Sequence, residues 1–405
     1  MASFAYTGRI QSGERVSGER SAETIQDAVS ALRREGIFVT RVGPARPASA
    51  KTLAAAGRRV KARNLAAFTR QFAVMINAGL SLLRSLTILS EQTENKKLAA
   101  IIGEVRNDVE AGNSLSASMA KHRDVFPPLM VNMSKAGEIG GFLDSVLLQI
   151  ATNYEAEVKL RGKVKAAMTY PAVVFVIAMM AVTGMLLFVV PTFANLYKQL
   201  GGKLPAPTQM LVNISHAFKI GFPVMIVFSI AGFVLWQKYK HTEKVRSIVD
   251  PMKLKMPIFG GLFQKIALSR FTRNLGTMMH SGVPILQALE IVADTSGNMV
   301  IANAVHDVQN SVRSGESLAG PLKNHDVFPP MVVQMMAVGE DTGALDSMLH
   351  KISEFYDQEV EATTEALTAM IEPLMIAVLG GIVGSMIICL YLPIFHIYDL
   401  VAKQS

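Results

Sequence analysis

The sequence predicts an all-α membrane protein: two duplicated cytoplasmic helix bundles and three transmembrane helices, with a small N-terminal α+β module. Three observations carry that prediction. One stretch is written twice, because the residues from Asp124-Val-Phe-Pro-Pro to Gly-Phe-Leu-Asp144 return 202 positions later, from Asp326-Val-Phe-Pro-Pro to Gly-Ala-Leu-Asp346. Half of the 405 residues are apolar, mean hydropathy is +0.31, and 18% are charged, against about 25% in soluble domains. Finally, Ala172–Val190 and Leu374–Phe395 run for 19 and 22 residues without a charge. At about 1.5 Å per residue they reach roughly 28 and 33 Å, enough for a hydrocarbon core of about 30 Å.

Taken in order, residues 1–45 read as a small module. Phe4-Ala-Tyr-Thr-Gly-Arg-Ile and Arg15-Val-Ser-Gly-Glu alternate like a hairpin. Ser21 to Gly36 reads as a capped helix with Ile25, Val29 and Leu32 on one face, and Ile37-Phe-Val-Thr returns as a strand. The first residues carry neither an apolar run nor a small-residue cleavage site, so the N-terminus is expected in the cytoplasm. Residues 46–62, rich in Pro, Ala, Ser and Gly near their start, read as a linker.

The first bundle is expected over 63–170 and the second over 266–372. Phe68, Phe72, Met75 and Ile76 fall at i, i+4, i+7 and i+8, and Phe271, Leu275, Met278 and Met279 repeat that spacing. Leu82, Leu83, Leu86 and Leu89 have the partners Ile285, Leu286, Leu289 and Val292. Val146, Leu147, Ile150 and Tyr154 have Met348, Leu349, Ile352 and Tyr356. One-sided stripes of this kind build bundles around a shared core. Membrane helices are expected at 171–191, 220–238 and 373–395, with a short periplasmic loop at 192–219, a connector at 239–265 and a periplasmic tail at 396–405. The second span is the shortest, Ile220–Trp236, with Lys219 and Lys238 placed to snorkel at its ends.

Orientation follows from parity and charge. Three spans put both bundles on one side of the membrane. Lys159, Arg161, Lys163 and Lys165 precede the first span and Lys238, Lys240, Lys244 and Arg246 follow the second, so the positive-inside rule makes that side the cytoplasm. The third span departs from the rule, since Glu359, Glu361, Glu365 and Glu372 precede it. The net charge of +8 is spread or gathered near membrane ends, which favours contact with the inner leaflet over nucleic acid.

Chemistry-bearing motifs are few. No Gly-x-x-x-x-Gly-Lys-Ser/Thr, His-Glu-x-x-His, Gly-x-Ser-x-Gly or Cys-x-x-Cys occurs, the single cysteine Cys389 lies in the third span, and Ala172–Val190, Ile220–Trp236 and Leu374–Phe395 hold no Asp, Glu, Lys, Arg or His. No catalytic, cofactor or metal residues are therefore assigned. The repeated Gly-Glu-x-x-Gly-x-Leu-Asp supplies Gly137, Glu138, Gly141 and Asp144, then Gly339, Glu340, Gly343 and Asp346. Its structural reading makes Gly137 and Gly141 a turn and Glu138 or Asp144 a helix cap, which is commoner than the alternative of a partner contact through the carboxylates. Gly380 and Gly384 form a Gly-x-x-x-Gly that lets membrane helices approach closely. Lys159, Arg161, Lys163 and Lys165 align with Glu361, Thr363, Glu365 and Leu367, so a basic approach to the membrane becomes an acidic one. The carboxylates of Glu361 and Glu365 either turn to water or face a basic surface, with Lys159 and Lys163 as the internal candidates.

Several motifs together resemble a known family. Phe68-Thr-Arg-Gln with Ala78-Gly-Leu, the paired Phe-Pro-Pro and Gly-Glu-x-x-Gly-x-Leu-Asp, Tyr170-Pro, Val189-Val-Pro-Thr-Phe, Leu204-Pro-x-Pro-Thr and Met256-Pro-Ile-Phe-Gly stand in the order of the inner-membrane platform proteins of type II secretion and type IV pilus machines. The likeness spans nearly the whole chain, and Leu32-Arg-Arg-Glu-Gly-Ile leans toward the pilus branch. The resemblance implies a non-enzymatic, homo-oligomeric protein of the bacterial inner membrane without cofactors. Its cytoplasmic bundles would meet a hexameric assembly ATPase, and its spans would receive pilin or pseudopilin subunits beside other inner-membrane components. The alternatives are the same platform in type II secretion and, from another class, a membrane receptor or transporter subunit.

Overall fold

The computed structural model describes residues 2–10, 15–22, 25–34, 37–44, 60–199, 204–239 and 242–402. They fall into two compact units, one from residues 1–61 with 86–107, the other from 62–85 with 108–405. No apolar stripe in the sequence announces that division. The hairpin tip at 11–14, most of the expected linker and the last three residues lie outside the described set.

In the first unit, β1 (Ala2–Ile10) pairs antiparallel with both β2 (Arg15–Ala22) and β3 (Ile37–Pro44), in the order β2-β1-β3. The β1–β3 register shifts between Thr7 and Gly8. Helix α1 covers Ile25–Arg34. Ser21, expected at the start of that helix, instead pairs with Ser3 in the sheet, because its backbone continues the β2 ladder.

Helix α2 (Ala62–Asn77) opens the second unit and packs its buried Phe68 and Phe72 side against α7 (Leu143–Gly184). Between them in the chain come α3 (Leu82–Gln92) and α4 (Lys96–Glu110), whose residues 86–107 belong to the first unit, then α5 (Leu115–Ala120) and α6 (Pro128–Gly140) of the second. The duplicate repeats the plan with α11 (Gly260–His280), α12 (Ile285–Thr295), α13 (Met299–Arg313), α14 (Ala319–Leu322), α15 (Pro330–Asp341) and α16 (Leu345–Ala402). Helix α11 lies along α16 and also touches α7, and α7 and α16 pack on each other. Leu83, expected in a core stripe, is exposed instead, because Ser85, Leu86 and Leu89 take the buried side of α3.

The last helix of each bundle is also its membrane helix. Helix α7 has 42 residues, and a five-residue π turn, Met185–Val189, joins it to α8 (Val190–Gln199). Helix α16 has 58 residues, about 87 Å at 1.5 Å each. Together with α9 (Ala206–Tyr239) these make three helical stretches long and apolar enough to cross a membrane.

Three expected boundaries change. The sequence predicts a loop over 192–219, yet α8 covers its start through Gln199 and α9 its end from Ala206. The cause is packing: Val190, Ala194 and Tyr197 are buried at i, i+4 and i+7, and Thr208, Leu211 and Ser215 at i, i+3 and i+7. An apolar cluster of Leu186, Val190, Leu211, Met386 and Leu390 joins the three membrane helices there. The expected connector 239–265 holds α10 (Glu243–Lys255) and the start of α11. Likewise the expected tail from 396 is helical through Ala402.

Candidate functional site

The repeated motif builds the same joint twice. Pro128 and Pro330 begin α6 and α15, where a missing N–H has no consequence. Gly141 and Gly343 follow those helices with φ of 75° and 69°, a left-handed backbone that favours glycine. Gly137 and Gly339 act differently from the turn role expected of Gly137. Each lies inside its helix, where an added Cβ would stand 3.0 Å from the Cα of Leu143 or of Leu345. They let α6 and α15 lie against the first turns of α7 and α16.

Glu138 and Glu340 reach back to the short helices before them. Glu138 accepts hydrogen bonds from the Leu115 and Ser116 amides and the Ser116 hydroxyl. Glu340 accepts from the Leu318 and Ala319 amides, at 2.7 and 3.2 Å. Orphan amides at a helix start are thus satisfied by a carboxylate about 22 residues away, with the dipole favouring its charge. Asp144 and Asp346 lie in the first turns of α7 and α16. Asp346 also pairs with His280 Nδ1 at 2.9 Å, and that hydrogen bond holds its carboxyl below the usual range.

The arginine of each Phe-Thr-Arg clamps a carboxylate on the long helix. Arg70 grips Glu155 through Nε and a terminal nitrogen, and Arg273 grips Asp357. Glu155 and Asp357 are equivalent across the duplication. Ser269 donates to Asp357 at 2.6 Å and accepts from Arg273, a bridge the first copy lacks because Ala66 stands there. These ion pairs were absent from the expected sites, although aligning the two copies would have shown charge repeated at all four positions.

The two approaches to the membrane meet through one pair of the expected charges. Lys163 bonds Glu361 across α7 and α16, while Lys265 holds Glu359 at 2.7 Å. Glu365 and Lys159 are exposed, and no ion pair joins them. Gly380 and Gly384 meet nothing within 4 Å of an added Cβ, so the close approach expected of them is not made among the described residues.

Each copy also carries a proline at the C-terminal end of its apolar stretch, and a hydroxyl on α9 answers each. Pro393 has no N–H for the Cys389 carbonyl, and Thr208 Oγ1 donates to that oxygen at 2.5 Å. Pro191 falls five residues after Leu186, the π-turn spacing, and Ser215 Oγ donates to the Leu186 carbonyl at 2.5 Å. Within a bilayer, proline is tolerated where such donors satisfy the freed carbonyl. Among the described residues no His, Cys, Asp and Glu cluster could hold a metal ion.

The family model described as Type II secretion system (T2SS), protein F matches residues 68–191 and again 271–393, and the model of that family's N-terminal domain matches 1–43. The chain belongs to the type II secretion system protein F family. The two matches coincide with the two copies described above. Type IV pilus assembly protein PilC of Myxococcus xanthus is 40% identical over 98% of this chain and 95% of its own length. The protein of the same name in Thermus thermophilus is 40% identical over 99% of both chains. Type II secretion system protein F of Aeromonas hydrophila is 31% identical over 83% of this chain and 87% of its own.

Proposed function

We propose that this chain is the inner-membrane platform of a type IV pilus assembly machine, coupling a cytoplasmic hexameric ATPase to the insertion of pilin subunits. The observation that carries the reading is likeness at 40% identity, over nearly the full length, to proteins named for type IV pilus assembly. The architecture supports it. Helices α7 and α16 pass from bundle to apolar stretch, so force applied to a bundle has a stiff path into the bilayer. The platform acts by position and movement, and the nucleotide chemistry belongs to its partner. It works as a homo-oligomer among other inner-membrane components, with its N-terminus in the cytoplasm. The same role in type II secretion is the second reading, favoured by the 31% relative.

Affinity purification of the full chain from native membranes tests this, with mass-spectrometric identification of what co-purifies. An assembly ATPase and pilins are expected. Pseudopilins and a secretion ATPase would move the chain to the second reading, and neither set would overturn both. The purified chain alone should hydrolyse no ATP. Orientation is checked in a Cys389→Ser background with an impermeant thiol reagent on spheroplasts. Lys198→Cys should label, while Asn113→Cys and Ser317→Cys should label only after lysis.

A further inference from the structure

We propose that the groove where α7 leaves the first bundle is a binding site for one anionic phospholipid. The groove encloses about 850 Å³ and is lined almost wholly by α7, with Ile266 and Arg270 of α11 closing one end. At that end Leu160 lines it as a member of a buried apolar cluster with Leu262, Val360 and Leu367, and the lining residues Val164, Met168 and Ile266 pack against that cluster. From there the lining continues through Val173, Val176 and Met180, all exposed, into the stretch apolar enough to span a membrane. Arg161 to Met180 is 19 steps along one helix, roughly 28 Å, so the groove has a polar end and an apolar length like a lipid.

Charge at the polar end selects the headgroup. Arg161, Lys165 and Arg270 all line the groove, and among the described residues Glu157 is the only carboxylate paired with any of them. Arg161 holds Glu157 at 2.5 Å, leaving Arg270 a longer contact of 3.4 Å to the same oxygen. Arg270 is partly buried, its Nε has no hydrogen-bond partner in the described structure, and burial lowers its pKa. Arg273 stands nearby, but Asp357 neutralises it. Lys165 has no ion-pair partner among the described residues and is exposed where it can rise to a headgroup. Three cations against one carboxylate, at the head of an apolar groove, match a phosphodiester bearing acyl chains; basic pockets beside membrane helices bind such headgroups. A zwitterionic lipid would bring its own cation into this excess.

The site rests on placing Ala172–Val190 in the bilayer and needs no pilus, so its test can fail without touching the platform reading. The full chain is purified in detergent and offered equal amounts of phosphatidylglycerol and phosphatidylcholine of the same acyl length. Bound lipid is then counted by native mass spectrometry. One phosphatidylglycerol should be retained in preference. Lys165→Gln, at an exposed position, should weaken that retention about fivefold, the worth of one charge at an anionic surface. Val173→Trp, which fills the groove without changing charge, should displace the lipid. Inorganic phosphate should not compete. Equal retention of both lipids, or no effect of either substitution, overturns the proposal. Displacement by inorganic phosphate makes this a bare anion site. A change in subunit number with Val173→Trp at unchanged lipid retention assigns the groove to a second copy of the chain. Both last results also overturn it.

Discussion

The two bundles repeat one joint but set it in different surroundings. In the first, Arg70 and Glu155 are 32% and 45% exposed, and water screens their pairing. In the second, Arg273 is 8% exposed and Ser269 bridges it to Asp357. The difference follows from packing, since α11 lies against both α16 and α7, whereas α2 packs on α7. Duplication therefore copied the geometry of the ion pair, and burial later decided its energetic weight. The acidic approach to the last span shows the same divergence. Glu361 and Glu359 do not stand at an unanswered negative surface, because Lys163 and Lys265 meet them.

The sharpest way to break this comparison is to remove both arginines in turn. Arg273→Leu should cost about 3 kcal/mol by stranding a partly buried Asp357, and Arg70→Leu no more than about 1 kcal/mol. Thermal unfolding of the detergent-purified chain reads the difference, and equal losses would refute unequal burial as its cause. The glycines should behave alike in both copies. Gly137→Ala and Gly339→Ala each force a Cβ to 3.0 Å from backbone and should cost about 1–3 kcal/mol. A loss in only one copy would mean that the other joint can relax.

Effects of about 1–2 kcal/mol are expected for Thr208→Val and Ser215→Ala, which leave the Cys389 and Leu186 carbonyls unsatisfied in an apolar cluster. Replacing the proline as well, as Thr208→Val with Pro393→Ala, should recover most of the loss, since the helix regains its own N–H; no recovery would discount the pairing. Glu361→Lys should cost under about 1 kcal/mol, and adding Lys163→Glu should restore it, because the pair is about 40% exposed on both sides. Filament assembly is the companion readout for that swap.

The smallest effect is one of pH. Hydrogen bonding to Arg70 lowers the Glu155 pKa. A depressed folded-state pKa adds stability that is full above the unfolded carboxylate value and lost as pH falls through the folded one. Arg70→Leu should therefore flatten the acid limb of a stability–pH curve, and an unchanged limb would count against the pairing.

Much of this could be read directly. The duplication, both long apolar stretches and the Phe68, Phe72, Leu275 and Met278 stripes depend on spacing along the chain, which any helix converts into one face. The proline and Gly141 or Gly343 positions were legible for the same reason, because backbone conformation is set within a few residues. What escaped was long-range. Residues 192–219 look like a loop because polar residues interrupt them, and only the cluster with Leu186 and Leu390 shows why they stay helical. Gly137 looks like a turn residue until Leu143 is seen 3.0 Å from its missing Cβ.

The sequence by itself therefore determined the two copies, the helices within them and the three stretches able to cross a membrane, since these rest on periodicity, proline and glycine chemistry and length. Only the tertiary structure decided which charges pair, which glycines touch a neighbour and which hydroxyl answers each proline. Arg273 and Asp357 are separated by 84 residues, and Thr208 and Cys389 by 181. Contacts at such separations depend on how whole helices cross, and no local pattern in the chain encodes a crossing.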